Sequence, residues 1–218
     1  MRWLGSAAAF AVVSGIGLAT FGLTSPPHVT PPAPRTAAHQ RTTPVQGGTS
    51  RPVVAGRPTV EASPPVSIAI PALGISSALG PQRGLTAAGT IDDAPLSGPT
   101  WALPWWYDNG PTPGEDGSAV ILGHVDSAIG AGHLGVFFAL GSLRPGQAIT
   151  VDLSDGSVTR WVVTSVVLYP DSQFPDALVY AHSGSPVLRL VTCGGTFNSQ
   201  THGYESATVV TATPAGGS

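Results

Sequence analysis

The chain contains a single cysteine, Cys193, and no lysine. One cysteine excludes an intrachain disulfide framework and any zinc site built from several thiolates. Without lysine, all nine cationic side chains are arginine, a bias that carries no mechanistic information. Charge is scarce as well. Charged residues make up 10% of the chain and the net charge is −3, too little positive charge to suit a nucleic-acid partner. No long amphipathic helical pattern occurs, which points away from a helical bundle.

What is present is 42% hydrophobic residues with 28 Gly and 22 Pro, and these are unevenly spread. Residues 3–23, from Trp3 to Leu23, carry no charged side chain and follow Met1-Arg2. A run of about 20 residues matches the hydrocarbon core of a bilayer, so residues 1–24 read as an N-terminal membrane anchor. A cleaved signal segment is the rival reading; no clear A-x-A processing site stands near Leu23, and either reading exports the rest of the chain. Residues 25–65 are rich in Pro, Thr, Ala and Ser, and carry Arg35, Arg41, Arg51 and Arg57 against Glu61 alone. With almost nothing large to bury, they read as a disordered spacer. Residues 66–218 form the folded part, mildly acidic, with eleven carboxylates against Arg83, Arg144, Arg160 and Arg189.

Within that part, Val66 to Ile70 alternates as a half-buried strand. Ala119 to Leu122 is a short apolar run typical of a central strand. Ala148 to Leu153, Arg160 to Tyr169, Pro186 to Thr192 and Thr208 to Ala212 supply further strands, with a hairpin signal at Asp155-Gly156. Gly135 to Leu143 fits a short helix or an irregular turn. Many short strands without long helices predict an all-β barrel or sandwich.

Cys193 follows Leu188-Arg189-Leu190-Val191-Thr192 and precedes Gly194-Gly195. It is expected at a strand terminus, held rigidly yet facing a groove, with glycines that let a substrate approach the backbone. A lone cysteine is also explained by burial as a small hydrophobe, but the Gly-Gly exit favours a nucleophile. A thiol needs a partner to become reactive near pH 7, commonly a histidine. His28 and His39 lie in the spacer, while His133, His182 and His202 lie in loops. Only His124 directly follows a buried-looking strand, in Leu122-Gly123-His124-Val125-Asp126-Ser127. His124, Asp126 and His133 are spaced too loosely to argue for zinc. Trp101, Trp105 and Trp106 fit core positions better than a binding groove.

The run Ala119 to Ser127 resembles the histidine motif of sortases, and Leu190-Val191-Thr192-Cys193 is similar to their T-L-x-T-C segment. Gly135 to Leu140 and Phe174-Pro175 stand where that family has similar segments, so the resemblance covers about residues 66–213. The nearest likeness is to class E and class F sortases of actinobacteria. The resemblance implies an eight-stranded sortase β-barrel with short helices in its connections. It also implies a transpeptidase that cleaves an LPxTG-type sorting signal through a thioacyl intermediate on Cys193, with His124 as general acid and base. The acyl group would pass to an amine on a peptidoglycan precursor or another protein. No cofactor and no metal are implied. The domain would stand outside a bacterial cell, held by a single pass at residues 3–23, or would be secreted if that segment is cleaved.

One departure stands out. Sortases carry an arginine on the strand after the cysteine, in a Y-R-D-N-like segment of these relatives, whereas here the segment is Tyr204-Glu205-Ser206-Ala207. No arginine follows Cys193, and Glu205 takes the expected place. Arg189 shares strand parity with Cys193 but lies four residues away, ~13 Å along an extended chain. The alternative implied is a catalytically impaired sortase-fold protein that binds sorting signals or envelope partners. Other cell-wall cysteine enzymes fit less well. The S-H-G-C segment of L,D-transpeptidases is absent, and papain-like peptidases place cysteine before histidine.

Overall fold

The computed structural model describes residues 29–34, 63–127 and 133–216. The expected anchor at 1–24, with His28 and His39, lies outside the described residues, as does most of the 25–65 spacer. No helix among the described residues is long and apolar enough to cross a membrane.

Eight strands form one curled sheet. In chain order they are β1 (Pro65–Ile70), β2 (Ile75–Ala78), β3 (Trp105–Trp106), β4 (Ser118–Leu122), β5 (Ala148–Leu153), β6 (Val158–Pro170), β7 (Val187–Asn198) and β8 (Gly203–Pro214). Their order across the sheet is β2-β1-β5-β6-β8-β7-β4-β3. All neighbours run antiparallel except β4 and β7, which are parallel. The two edges meet beyond β2, where Gly80 N donates to Pro104 O (2.7 Å) and Arg83 N to Trp106 O (3.0 Å). The sheet thereby curls into the barrel-like form expected of an all-β chain. The helices are short, with one α-turn, α1 (Asp176–Val179), between β6 and β7.

The alternation within each strand sorts side chains into two apolar layers. The interior of the curl is filled by Ile68, Ile149, Trp161, Leu188, Leu190 and Val210, among others. Fully buried side chains such as Leu188 and Leu190 contribute about 1.5–3 kcal/mol each. The opposite face of β4, β7 and β8 carries Val120, Leu122, Val191 and Val209. Trp105 and Ala94 cover it from the β2–β3 side, and Val179 covers it from α1. Trp105 and Trp106 are both core residues, as their small-domain setting suggests.

Strand β6 is the longest, because the β-branched run around Trp161 continues to Pro170. Residues 135–143 resolve into turns and a 3-10 turn at Leu140–Ser142. This segment packs on an unexpected partner. A Cβ on Gly141 would stand 2.0 Å from the carbonyl oxygen of Pro32, and Pro31 is buried. Residues 29–34 of the proline-rich stretch are therefore seated against the barrel.

Candidate active site

Parallel pairing of β4 and β7 sets the geometry. Leu122 is in register with Val191, and Gly123 N extends the ladder by donating to Val191 O (3.1 Å). His124 and Cys193 each lie two residues beyond that pair, so both keep the face of Leu122 and Val191 at the same end of adjacent strands. Strands so paired lie ~4.8 Å apart. Two residues 69 positions apart in the sequence thus emerge at one end of the second apolar layer.

The chain after His124 doubles back to fix it. Phe137 N donates to His124 O (3.2 Å), and Gly135 N donates to Val125 O (2.8 Å). The imidazole is half-buried, with its ring centroid 5.0 Å from that of Trp105. Its Nε2 lies 2.9 Å from the carbonyl oxygen of Ala94, in the β2–β3 connection. A carbonyl only accepts, so Nε2 carries the proton and Nδ1 is the free base of the neutral ring. Burial holds the imidazole below its ordinary value, opposed by the Ala94 and Pro95 carbonyls and by Asp126, while Arg83 adds to the lowering.

Cys193 is exposed as a residue and open to a substrate. Its sulfur nevertheless stands among enough protein to push the thiol up to about 12, with Asp93, Asp171 and Asp126 adding to the rise. Exposure decides access, whereas the crowding on the inner side and the carboxylates decide charge. Both shifts favour the uncharged forms, the thiol of Cys193 and the neutral imidazole of His124. Alkylation of Cys193 by iodoacetamide is expected to keep climbing through pH 9–10. A plateau near the free-thiol value of ~8.5 would show that the protein does not hold the thiol protonated.

The glycines after the cysteine have a different reason from the one expected. Strand β7 does not end at Cys193 but runs to Asn198 past a register shift between Gly194 and Phe197. Gly195 takes φ +76°, the left-handed region required at such a bulge. A Cβ on Gly194 would stand 2.8 Å from Thr208 Oγ1 and 3.0 Å from Leu168 Cδ1. The pair allows close packing inside the protein, with Leu168 and Thr208 against Gly194 and Ser206 against Gly195.

The arginines divide sharply. Arg189 is buried, its Nε donating to Ser118 Oγ and its Nη1 to Thr211 Oγ1, both at 2.8 Å. It serves the sheet at the end away from the thiol, and burial lowers its pKa. Arg189→Ala is expected to cost about 3 kcal/mol by chemical denaturation, since two hydroxyls lose a charged partner, without changing Cys193 alkylation. Arg160 pairs with Thr150, far along β6 from Pro170, which pairs with Ser206 near the site. Arg144 lies in the turn before β5, its backbone N donating to Gln147 Oε1. Among the described arginines, Arg83 alone is brought toward His124, and its guanidinium binds Asp92 (3.0 Å) and the Asp93 carbonyl (3.3 Å).

Glu205 occupies the outer stretch of β8 and accepts from Asn198 Nδ2 (3.0 Å). Burial raises Asp171, at the start of the β6–β7 connection, and the charge of Glu205 adds to the rise. Asp93, raised to about 6 by burial and by Asp92, contributes a further carboxylate from the β2–β3 connection. Asp126 accepts from Tyr204 Oη at 2.6 Å. Asp93 and Asp171 had no signal in the sequence, because long connections decide where they stand; Tyr204 lay in the segment compared with the family, but its bond to Asp126 across the site had none. His133 lies apart from His124 against Trp101, ring centroids 6.2 Å apart. No group of three potential ligands able to hold a metal occurs among the described residues.

The sortase domain family model matches residues 68–215. No curated protein matches the chain. Among solved structures, sortase C1 from Streptococcus suis is 14% identical with a TM-score of 0.50, the match covering 72% of this chain and 75% of that one. Sortase A from Corynebacterium diphtheriae is 16% identical with a TM-score of 0.49, covering 72% of this chain and 63% of that one. Sortase C-1 from Actinomyces oris is also 16% identical, with a TM-score of 0.49 and coverage of 72% and 77%. A family match over residues 68–215, on an all-β sheet of eight strands, places the chain in the sortase family.

Proposed function

We propose that the chain is a cysteine transpeptidase acting on LPxTG-type sorting signals, with Cys193 as nucleophile and His124 as general acid and base. The observation that carries this reading is the shared end of β4 and β7, where both residues follow the Leu122–Val191 register pair. His124 takes the thiol proton, and the Cys193 sulfur attacks the threonine carbonyl of the signal. The carbon–nitrogen bond to glycine breaks, and the proton passes to the departing amine. The resulting thioester is attacked by an acceptor amine on a peptidoglycan precursor or another protein. That amine gives up a proton through His124, and the thiol is restored. The motif pattern supports a class E or class F enzyme. The charge-free run at 3–23 supports a domain held outside the cell at the membrane by one anchoring segment.

The test is incubation of the full chain with an LPxTG-type peptide and a small amine, followed by mass spectrometry for the transfer product and the acyl-enzyme. Both are expected. A second reading, a sortase-fold protein that binds sorting signals with little turnover, draws on Glu205 and the carboxylates around the thiol. Bound peptide and a labelled thiol with no product would favour it.

A further inference from the structure

The Tyr204–Asp126 contact joins two parts of the site that no strand pairing joins. Tyr204 lies on β8, opposite Phe197 and beyond the β7 bulge, with its ring edge-on to that of Phe197 at a centroid distance of 5.3 Å. Asp126 lies two residues after His124, in the segment that bridges to Leu134. The 2.6 Å bond from Tyr204 Oη to Asp126 Oδ2 fixes the carboxylate between strand and loop. From this geometry we infer that Asp126, held by Tyr204 on the loop that carries His124, is a positioning residue for the Cys193–His124 pair.

The inference rests on the transpeptidase reading and deepens it. Attack and resolution both pass through a state in which the imidazole holds a proton. A fixed carboxylate lowers the energy of that imidazolium. Asp126 indeed opposes the burial that lowers His124, and it also disfavours the thiolate. The other charged groups facing the pair come from every neighbouring element. Arg83 and Asp93 belong to the β2–β3 connection, Asp171 to the β6–β7 connection, and Glu205 flanks Asp171 from β8. Among these, Asp126 alone stands on the histidine's own loop and is anchored by a phenol from the strand that follows the cysteine strand.

The experiment follows the His124 ring protons by NMR across pH in the full chain, beside steady-state transfer kinetics. Asp126→Asn is expected to move the His124 midpoint further down and to cut kcat about tenfold with little change in KM. A merely structural role gives the opposite sign, because loosening the site exposes the imidazole and returns its midpoint upward toward ~6.5. Asp126→Glu should restore much of both properties. Tyr204→Phe should shift both in the direction of Asp126→Asn, and the double variant should be no worse than Asp126→Asn alone, as for residues acting through one group. An upward or unchanged midpoint in Asp126→Asn overturns the inference, as does strict additivity of the two substitutions. A wild-type chain without turnover would sink the transpeptidase reading instead, leaving the His124 titration to decide this one.

Discussion

Cys193→Ala is expected to abolish transfer altogether, and His124→Ala to lower kcat by about 10²–10⁴-fold. The two effects have different origins. Without the sulfur no thioester can form. Without the imidazole the thiol remains but has nothing to take its proton. A thiol pushed up to about 12 is ionised in a fraction on the order of 10⁻⁵ at pH 7. Free thiolate is therefore scarce, and the departing amine must also be protonated. Single-turnover mass spectrometry separates the cases. His124→Ala should accumulate acyl-enzyme slowly and resolve it slowly, whereas Cys193→Ala should show no adduct. A His124→Ala variant retaining more than a tenth of wild-type transfer would remove the histidine from the mechanism.

Glu205→Arg is expected to raise kcat by about 10- to 100-fold, unusual for a substitution at a candidate active site. Oxyanion-directed donors are commonly worth ~10²–10³ in rate, and the proposed likeness sets Glu205 at the position of such a donor. Glu205 accepts from Asn198 and lies close enough to raise Asp171, which in turn helps to disfavour the Cys193 thiolate. Reversing its charge acts in one direction on both groups, lowering Asp171 and the thiol and favouring a developing oxyanion. Glu205→Gln, which removes charge without adding a donor, should gain only a few-fold. Equal rates for the two variants would assign the gain to charge removal alone. A fall in rate with arginine would show that backbone N–H groups carry the oxyanion unaided.

Strands with enough apolar pattern were legible in the chain: β4 as a continuous buried run, β5 by alternation, and β6 by its β-branched residues. Strand β2 was not, because Ile75-Ser76-Ser77-Ala78 offers one large side chain and half its residues face solvent. Strand β3 is two tryptophans long, too short for any period to show. At the site, His124 and Cys193 could be found because each closes a readable apolar run. Their setting could not. Ala94 reaches His124 only because the β2–β3 connection folds over β4. Glycines after a cysteine read as the end of a strand, whereas a left-handed Gly195 lets the strand bulge and continue. That bulge sets the register that places Tyr204 opposite Phe197.

On the proposal that residues 3–23 anchor the chain, the seating of Pro32 against Gly141 sets how far the domain can work from the membrane. With residues 3–23 in the membrane as proposed, a leash free up to Ser63 would span ~140 Å when fully extended, enough to patrol deep into a cell wall. Docking of residues 29–34 on the barrel sets the tether by the contour between Leu23 and Val29, at most ~20 Å. With that anchor, the working radius would shrink to the layer next to the lipid headgroups. A substrate must then be delivered while still at the membrane, and a side chain at Gly141 would lengthen the leash without touching the thiol.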